Sequence, residues 1–260
     1  TQLPEAHWFM RSDLYMVMEG VAYSLMIEPN KELENFMDNA IDLIGASQEE
    51  DGYLYISHTC KNIHPEEMGE KPYSFIVHSH ELYNVGHMYE AAIAYYQATG
   101  KDKLLNISIK NAKHINRVIF EGGDSKYNNG TPIMQAPGHE EIEFALCKLY
   151  RVTHDKLYQA LDNKFLEISW VPYRPQGECV MAPTYAQQHM PVKEQTEAVG
   201  HAVRAAYLYT AMAQVDALTG RKDYEKALNS IWNDLVSTRM HITGGLGAIA
   251  GMEGFGAKYE

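Results

Sequence analysis

Cysteine is scarce in this chain: Cys60, Cys147 and Cys179 are the only three in 260 residues, odd in number and widely spaced. That pattern excludes a disulfide framework and a zinc site of the C-x-x-C type. Basic residues are also short, 22 against 34 acidic, which gives a formal net charge of −12. A nucleic-acid backbone or an anionic membrane requires a basic surface, so neither is an expected partner. No apolar run reaches the length of about eighteen residues needed for a transmembrane helix. The opening Thr1-Gln2-Leu3-Pro4 has no initiator methionine and no charged-then-apolar signal pattern, and Tyr259-Glu260 closes without a cap. Both ends therefore read as cut.

What is present points to a folded chain with a neutral ligand. The composition is 45% hydrophobic and 22% charged, enough to bury one large core or two modest ones. Eighteen tyrosines and 12 histidines supply groups that stack on sugar rings and hydrogen-bond hydroxyls. The same tyrosines also suit a helical core, so the bias alone decides nothing.

Self-similarity is the strongest organisational signal. Three segments begin with Gly-His and run into helical patterns rich in Ala, Leu and Tyr: Gly86-His87, Gly138-His139 and Gly200-His201. Each reaches a threonine-centred break, at Ala98-Thr99-Gly100, Val152-Thr153-His154 and Leu218-Thr219-Gly220. Glycine, or a residue tolerant of the left-handed conformation, ends a helix there. Second helices are predicted over 103–119, 156–168 and 224–236, from apolar residues at three and four spacing. An earlier pair, 13–26 and 33–44, turns around Glu28-Pro29-Asn30 without a Gly-His start. About four helical hairpins result, and they can close as an open solenoid or as a ring of six pairs. The long irregular stretches 51–73 and 121–137 favour the ring, because solenoid turns are short. The expected fold is all-α, one incomplete (α/α)6 toroid over residues 1–260.

The candidate site follows from the repeat. His87, His139 and His201 fall in the first turns of the helices that would line a toroid, where unpaired N–H groups can hold hydroxyls. Each histidine alone reads equally as a structural residue closing a helix end, and it is their equivalence in the repeat that points to a site. The spacings are 52 residues from His87 to His139 and 62 from His139 to His201, and Glu253 stands 52 beyond His201. It lies in the glycine-rich stretch 244–256, where backbone can approach a ligand and partial burial would favour a general acid. That stretch lacks the Lys-Ser/Thr of a phosphate-binding loop. His58, His64, His78 and His80 show no regular ligand spacing, and His78-Ser79-His80 reads as a helix approach. Asp51-Gly52-Tyr53 is a turn signature, and Thr196 is a candidate cap for the third Gly-His helix.

Four strings carry a resemblance: His80-Glu81-Leu82-Tyr83-Asn84-Val85-Gly86-His87, Gly138-His139-Glu140-Glu141-Ile142-Glu143, the long 191–205 segment Pro-Val-Lys-Glu-Gln-Thr-Glu-Ala-Val-Gly-His-Ala-Val-Arg-Ala, and Thr243-Gly244-Gly245-Leu246-Gly247. Together they resemble glycoside hydrolase family 127, the bacterial β-L-arabinofuranosidase group. The resemblance implies an (α/α)6 catalytic barrel, normally followed by β-sandwich domains. It also implies a retaining removal of terminal L-arabinofuranose or a related sugar from plant-type glycans or glycoconjugates. On this resemblance His87, His139 and His201 match the sugar-contacting histidines and Glu253 the general acid/base. The family nucleophile is a zinc-bound cysteine thiolate, and zinc is expected in a full-length member with its ligands beyond residue 260. None of Cys60, Cys147 or Cys179 stands in a matching context. Gly254 and Ala257 differ from the usual aromatic or hydroxyl residues, which leaves the exact sugar open.

The implied partner is a carbohydrate substrate, with no nucleic acid and no membrane, a homodimer being permitted. Bacterial periplasm and cytoplasm both stay open. So do two other readings of the residues: a sugar epimerase or isomerase, with two pocket histidines exchanging a proton at carbon, and a non-catalytic carbohydrate-binding helical repeat protein.

Overall fold

A computed structural model describes residues 9, 11–59, 65–170, 182–247 and 249–259, with side chains for all of these except 11 and 65. Cys60, His64 and Cys179 lie outside the described residues. Among the described residues ten α-helices form: α1 (Arg11–Ile27), α2 (Lys31–Ser47), two single turns α3 (Ile56–Thr59) and α4 (Pro65–Met68), α5 (Glu81–Thr99), α6 (Lys103–Asn116), α7 (Ile142–Thr153), α8 (Lys156–Ile168), α9 (Ala202–Thr219) and α10 (Glu225–Asp234). Extended pairing among the described residues is confined to isolated bridges. No described helix is long and apolar enough to cross a membrane. The chain divides into two compact units, 1–133 with 148–154, and 134–147 with 155–260.

In the first unit α5 is buried nearly all round from Glu81 to Tyr95. Its small residues Gly86, Ala91, Ala92 and Ala94 allow neighbours to approach closely, and α1 and α6 pack against it. Asn30 caps α2, its side-chain oxygen accepting from the N–H groups of Glu32 (3.0 Å) and Leu33 (3.1 Å). The Asp51-Gly52-Tyr53 turn forms as read, with Asp51 Oδ1 accepting from the Tyr53 N–H at 2.9 Å and Gly52 at φ +100°. Glu81, at the start of α5, is fully buried and accepts from the Tyr53 hydroxyl (2.6 Å), the Ser79 hydroxyl (2.6 Å) and the Tyr73 N–H (3.0 Å). A saturated carboxylate of this kind fastens the 53–79 segment to the helix. His80 precedes α5 in the left-handed conformation, its Nδ1–H donating to the His78 carbonyl at 2.6 Å, so His78-Ser79-His80 is a helix approach.

In the second unit α8, α9 and α10 surround a core that includes Cys147, Leu166, Leu208, Met212, Tyr224 and Ile231. The three threonine-centred breaks share one device across the chain. Thr99, Thr153 and Thr219 each return their hydroxyl to the carbonyl four residues back, at 2.7, 2.8 and 2.7 Å. The next residue in each case is left-handed: Gly100 at φ +74°, His154 at +56° and Gly220 at +66°.

The helix starts depart from expectation. The three Gly-His pairs are not equivalent: His87 lies inside α5, which begins at Glu81, His139 precedes α7 by three residues, and His201 is the N-cap of α9. Thr196 is not a helix cap. His201 takes that role because Gly200, at φ +72°, turns the chain into the helix only there.

Two outcomes follow from this architecture. A Cβ on Gly200 would lie 2.0 Å from the Thr184 carbonyl oxygen and 2.6 Å from that of Tyr185, whereas one on Gly220 meets nothing. Gly220→Ala should therefore lose only the left-handed cost of about 1–2 kcal/mol, and Gly200→Ala clearly more, when the two are ranked by denaturant unfolding. Equal losses would refute the close approach. Burial holds the His114 imidazole uncharged, its pKa lowered to about 4. The unfolded chain then takes up a proton that the folded chain refuses, so this contribution is complete above about pH 6.5 and fades as pH falls towards 4. His114→Asn should flatten the acid limb of the stability curve relative to the parent by about 2–3 kcal/mol between those limits.

Candidate active site

The second unit builds a polar site where its C-terminal loop meets the start of α9. The Ala202 N–H, one of the donors a helix start leaves unpaired, gives its hydrogen bond to the Glu253 carbonyl at 2.9 Å. The Phe255 N–H donates to the Gly200 carbonyl at 2.9 Å, and His201 pairs with Gly254 as an antiparallel bridge between these two bonds. Glycine at 254 is required by the approach, because a Cβ there would stand 2.8 Å from the Gly200 oxygen. Gly247, at φ +88°, lets the same loop pass against Ala202.

This pairing brings two residues 52 apart in sequence into contact. The Nε2 of His201 lies 2.8 Å from Oε2 of Glu253. Glu253 itself is left-handed at φ +51°, an uncommon conformation for a non-glycine residue that the flanking bonds hold in place. The partial burial expected for its carboxyl is not found: the Glu253 side chain is 73% exposed. An imidazole contact, and not desolvation, is its defining environment.

The tautomers can be read from the hydrogen bonds. His201 Nδ1 accepts the Arg204 backbone N–H at 3.4 Å, so in the neutral ring Nε2 carries the proton and donates to Glu253. Burial favours that neutral ring and lowers the His201 pKa, against the opposing pull of the Glu253 hydrogen bond. His139 is arranged the other way, since its Nδ1–H donates to the Glu140 carbonyl at 2.8 Å and the lone pair falls on Nε2. The two rings stand 5.8 Å apart, centroid to centroid, and both are buried. The two imidazoles therefore share one wall, His201 giving its Nε2–H to Glu253 and His139 carrying an acceptor nitrogen in its neutral ring.

The scaffold beneath the histidines was not foreseen from sequence. The Tyr185 carbonyl accepts the His201 N–H at 3.0 Å, and its ring meets the His201 ring edge-on at 5.5 Å. The buried Gln187 amide donates to the carbonyls of Val199 (2.7 Å) and His201 (3.1 Å). Gln188 Nε2 donates to the Pro137 carbonyl at 2.7 Å, and Gln195 Nε2 to the Gln187 carbonyl at 2.7 Å. The sole sequence signal was a run of amides in a segment without hydrophobic period.

His87 belongs to the first unit. It is buried in α5, edge-on to Tyr83 at 4.6 Å, with Nδ1 3.8 Å from a Glu90 carboxylate oxygen. Burial lowers its pKa to about 4. The structure thus brings together His139, His201 and Glu253 of the four expected site residues, and describes His87 within its own unit. Among the described residues Cys147 is the one cysteine. It is fully buried, and its thiol donates to Asp162 Oδ2 at 2.7 Å. Burial pushes the Asp162 carboxyl well above the usual range, and Glu143 beside it in the same core rises to about 7 for the same reason. A thiol held in such surroundings does not fit a metal-bound thiolate.

The model of the β-L-arabinofuranosidase GH127 catalytic domain matches residues 5–260. The chain is 34% identical over 267 residues to the non-reducing end β-L-arabinofuranosidase of Bifidobacterium longum subsp. longum, covering 97% of this chain and 39% of that protein. Its fold matches a solved GH127 β-arabinofuranosidase with a TM-score of 0.87 at 42% identity, over 100% of this chain and 39% of the other. It matches a GH127 β-L-arabinofuranosidase from Geobacillus stearothermophilus T6 with a TM-score of 0.86 at 36% identity, over 99% and 40%. The all-α class expected from the hairpin repeat, an incomplete (α/α)6 toroid, is the fold these structures share with it. The chain spans about two-fifths of the length of these relatives. With nearly all of its residues matched, the chain belongs to the β-L-arabinofuranosidase family, glycoside hydrolase family 127.

Proposed function

We propose that this chain carries the sugar-binding wall and the general acid/base of a retaining glycosidase that removes terminal L-arabinofuranose, or a closely related sugar, from glycans. On this reading residues 1–260 form part of one helical catalytic domain. The observation that carries it is the 2.8 Å contact between His201 and Glu253 at the loop–helix junction. The names of the relatives supply the sugar, and the opposed tautomers of His139 and His201 supply groups able to hold it.

The chemistry asked of these residues is proton transfer and orientation. Glu253, exposed towards ligand and held by its strained backbone, delivers a proton to the glycosidic oxygen as the leaving group departs. Its carboxylate then takes a proton from the water that completes hydrolysis. The His201 Nε2–H steadies the carboxylate between these steps. His139 offers its Nε2 lone pair to a sugar hydroxyl, and His87 is assigned to the same sugar on the family resemblance. The cysteine–zinc nucleophile of the family has no counterpart that fits among the described residues, so no step is drawn through it.

Two measurements test the proposal. L-Arabinose titrated calorimetrically into the chain should bind in preference to D-xylose and D-galactose. His139→Ala and His201→Ala should each weaken it by about 3- to 10-fold, the worth of one neutral hydrogen bond. Equal affinity for all three sugars would remove the arabinose assignment. In a full-length version that includes the segment carrying the family nucleophile, Glu253→Gln should lower turnover of an alkyl β-L-arabinofuranoside by about 10²- to 10⁴-fold with little change in KM. Unchanged turnover would take the acid/base role from Glu253.

A further inference from the structure

Arg204 sits in the first turn of α9, three residues after His201, and is buried at 6% exposure. An arginine is seldom buried without a specific arrangement around it. Four contacts radiate from this one. Its backbone N–H is the donor that fixes the His201 tautomer, at 3.4 Å from Nδ1. Its Nη1 donates to the Gly138 carbonyl, which belongs to the peptide unit leading into His139. Its guanidinium carbon lies 4.8 Å from the centre of the Tyr185 ring, and Tyr185 is the residue that supports His201 from below by both carbonyl and ring. The buried Glu140, whose carbonyl in turn fixes His139, supplies an opposing negative charge.

These contacts link both histidines through one residue, whose planar guanidinium reaches the peptide before His139 directly and His201 by way of Tyr185. His139 approaches from the loop before α7, His201 from the start of α9, and among the described residues no backbone hydrogen bond joins those two segments. The amide of Gln188 holds the Pro137 carbonyl next door at 2.7 Å, so two successive carbonyls on the path to His139 are gripped by side chains. We propose that Arg204 is the positioning residue of the site: its guanidinium, bound to the Gly138 carbonyl and stacked on Tyr185, sets the register between His139 and His201, and with it the spacing of the two rings that the ligand meets. The inference rests on the reading of that histidine pair as a sugar site, but its geometric content can be measured without any sugar. Guanidinium suits the task, being planar, permanently charged and able to stack and donate at once, whereas a lysine ammonium can only donate.

The test uses the whole chain with 15N-labelled histidine. In the parent, the ring nitrogens of His139 and His201 should report opposite tautomers, Nδ1–H in the first and Nε2–H in the second. Arg204→Met should keep the helical circular dichroism spectrum, yet shift and broaden these ring signals as the two rings lose their fixed register, and weaken L-arabinose at least tenfold. Arg204→Lys should recover part of the loss through the Gly138 carbonyl, and Tyr185→Leu, which removes the stacking partner, should fall between parent and Arg204→Met. Should Arg204→Met fail to fold, Arg204→Lys and Tyr185→Leu decide the matter by the same signals. Parent-like ring signals in the folded variants overturn the positioning role. Absence of L-arabinose binding by the parent itself, with the ring signals still responding to Arg204, would instead remove the arabinose assignment and leave the positioning role standing.

Discussion

Two backbone hydrogen bonds carry the site: Ala202 N–H to the Glu253 carbonyl and Phe255 N–H to the Gly200 carbonyl, both 2.9 Å long. The first answers a need that every helix start has, since the first N–H groups of α9 have no partner within the helix. A side-chain cap alone would satisfy only one of them. Here a segment from the end of the described chain lies across the helix start as a short antiparallel strip, and that strip delivers a carboxylate to an imidazole. The glycines at 247 and 254 are consequences of the same contact, whereas Gly200 is required by the Thr184 and Tyr185 carbonyls on its other side.

Around this junction the protein arranges its histidines by burial and by hydrogen bonds. Burial keeps His201 uncharged, and the directions of its hydrogen bonds choose which nitrogen holds the proton. His139 receives the opposite assignment from a single backbone carbonyl. An imidazolium pair would repel itself at a centroid separation of 5.8 Å, whereas neutral rings let His201 donate to Glu253 while His139 keeps an acceptor nitrogen. The amides of Gln187, Gln188 and Gln195, together with Arg204, hold the loops that carry them. Buried polar networks of this sort position groups well only when nearly every member is satisfied.

Elsewhere in the second unit ionisable groups are used differently. Glu143, Asp162 and Cys147 lie in its core, where burial raises both carboxyls above their usual range and the thiol donates a hydrogen bond to Asp162. At the loop–helix junction the carboxylate of Glu253 is instead left open to solvent.

The sequence by itself determined the helical hairpins, their threonine-centred breaks and the family. Those signals are local: apolar spacing of three and four, a hydroxyl returned to the carbonyl four residues back, and a left-handed residue after it. Gly-His repetition also singled out His139 and His201, and the 52-residue step reached Glu253. Tertiary structure decided where each helix starts, so that His87, His139 and His201 occupy three different helical settings despite one shared dipeptide. It also decided the tautomers, the exposure of Glu253, and the roles of Tyr185, Gln187 and Arg204. The tautomers rest on near neighbours, one and three residues away, but the roles of Glu253, Gln187 and Arg204 depend on partners 12 to 66 residues away, and a one-dimensional pattern holds no record of which carbonyl a buried donor will find.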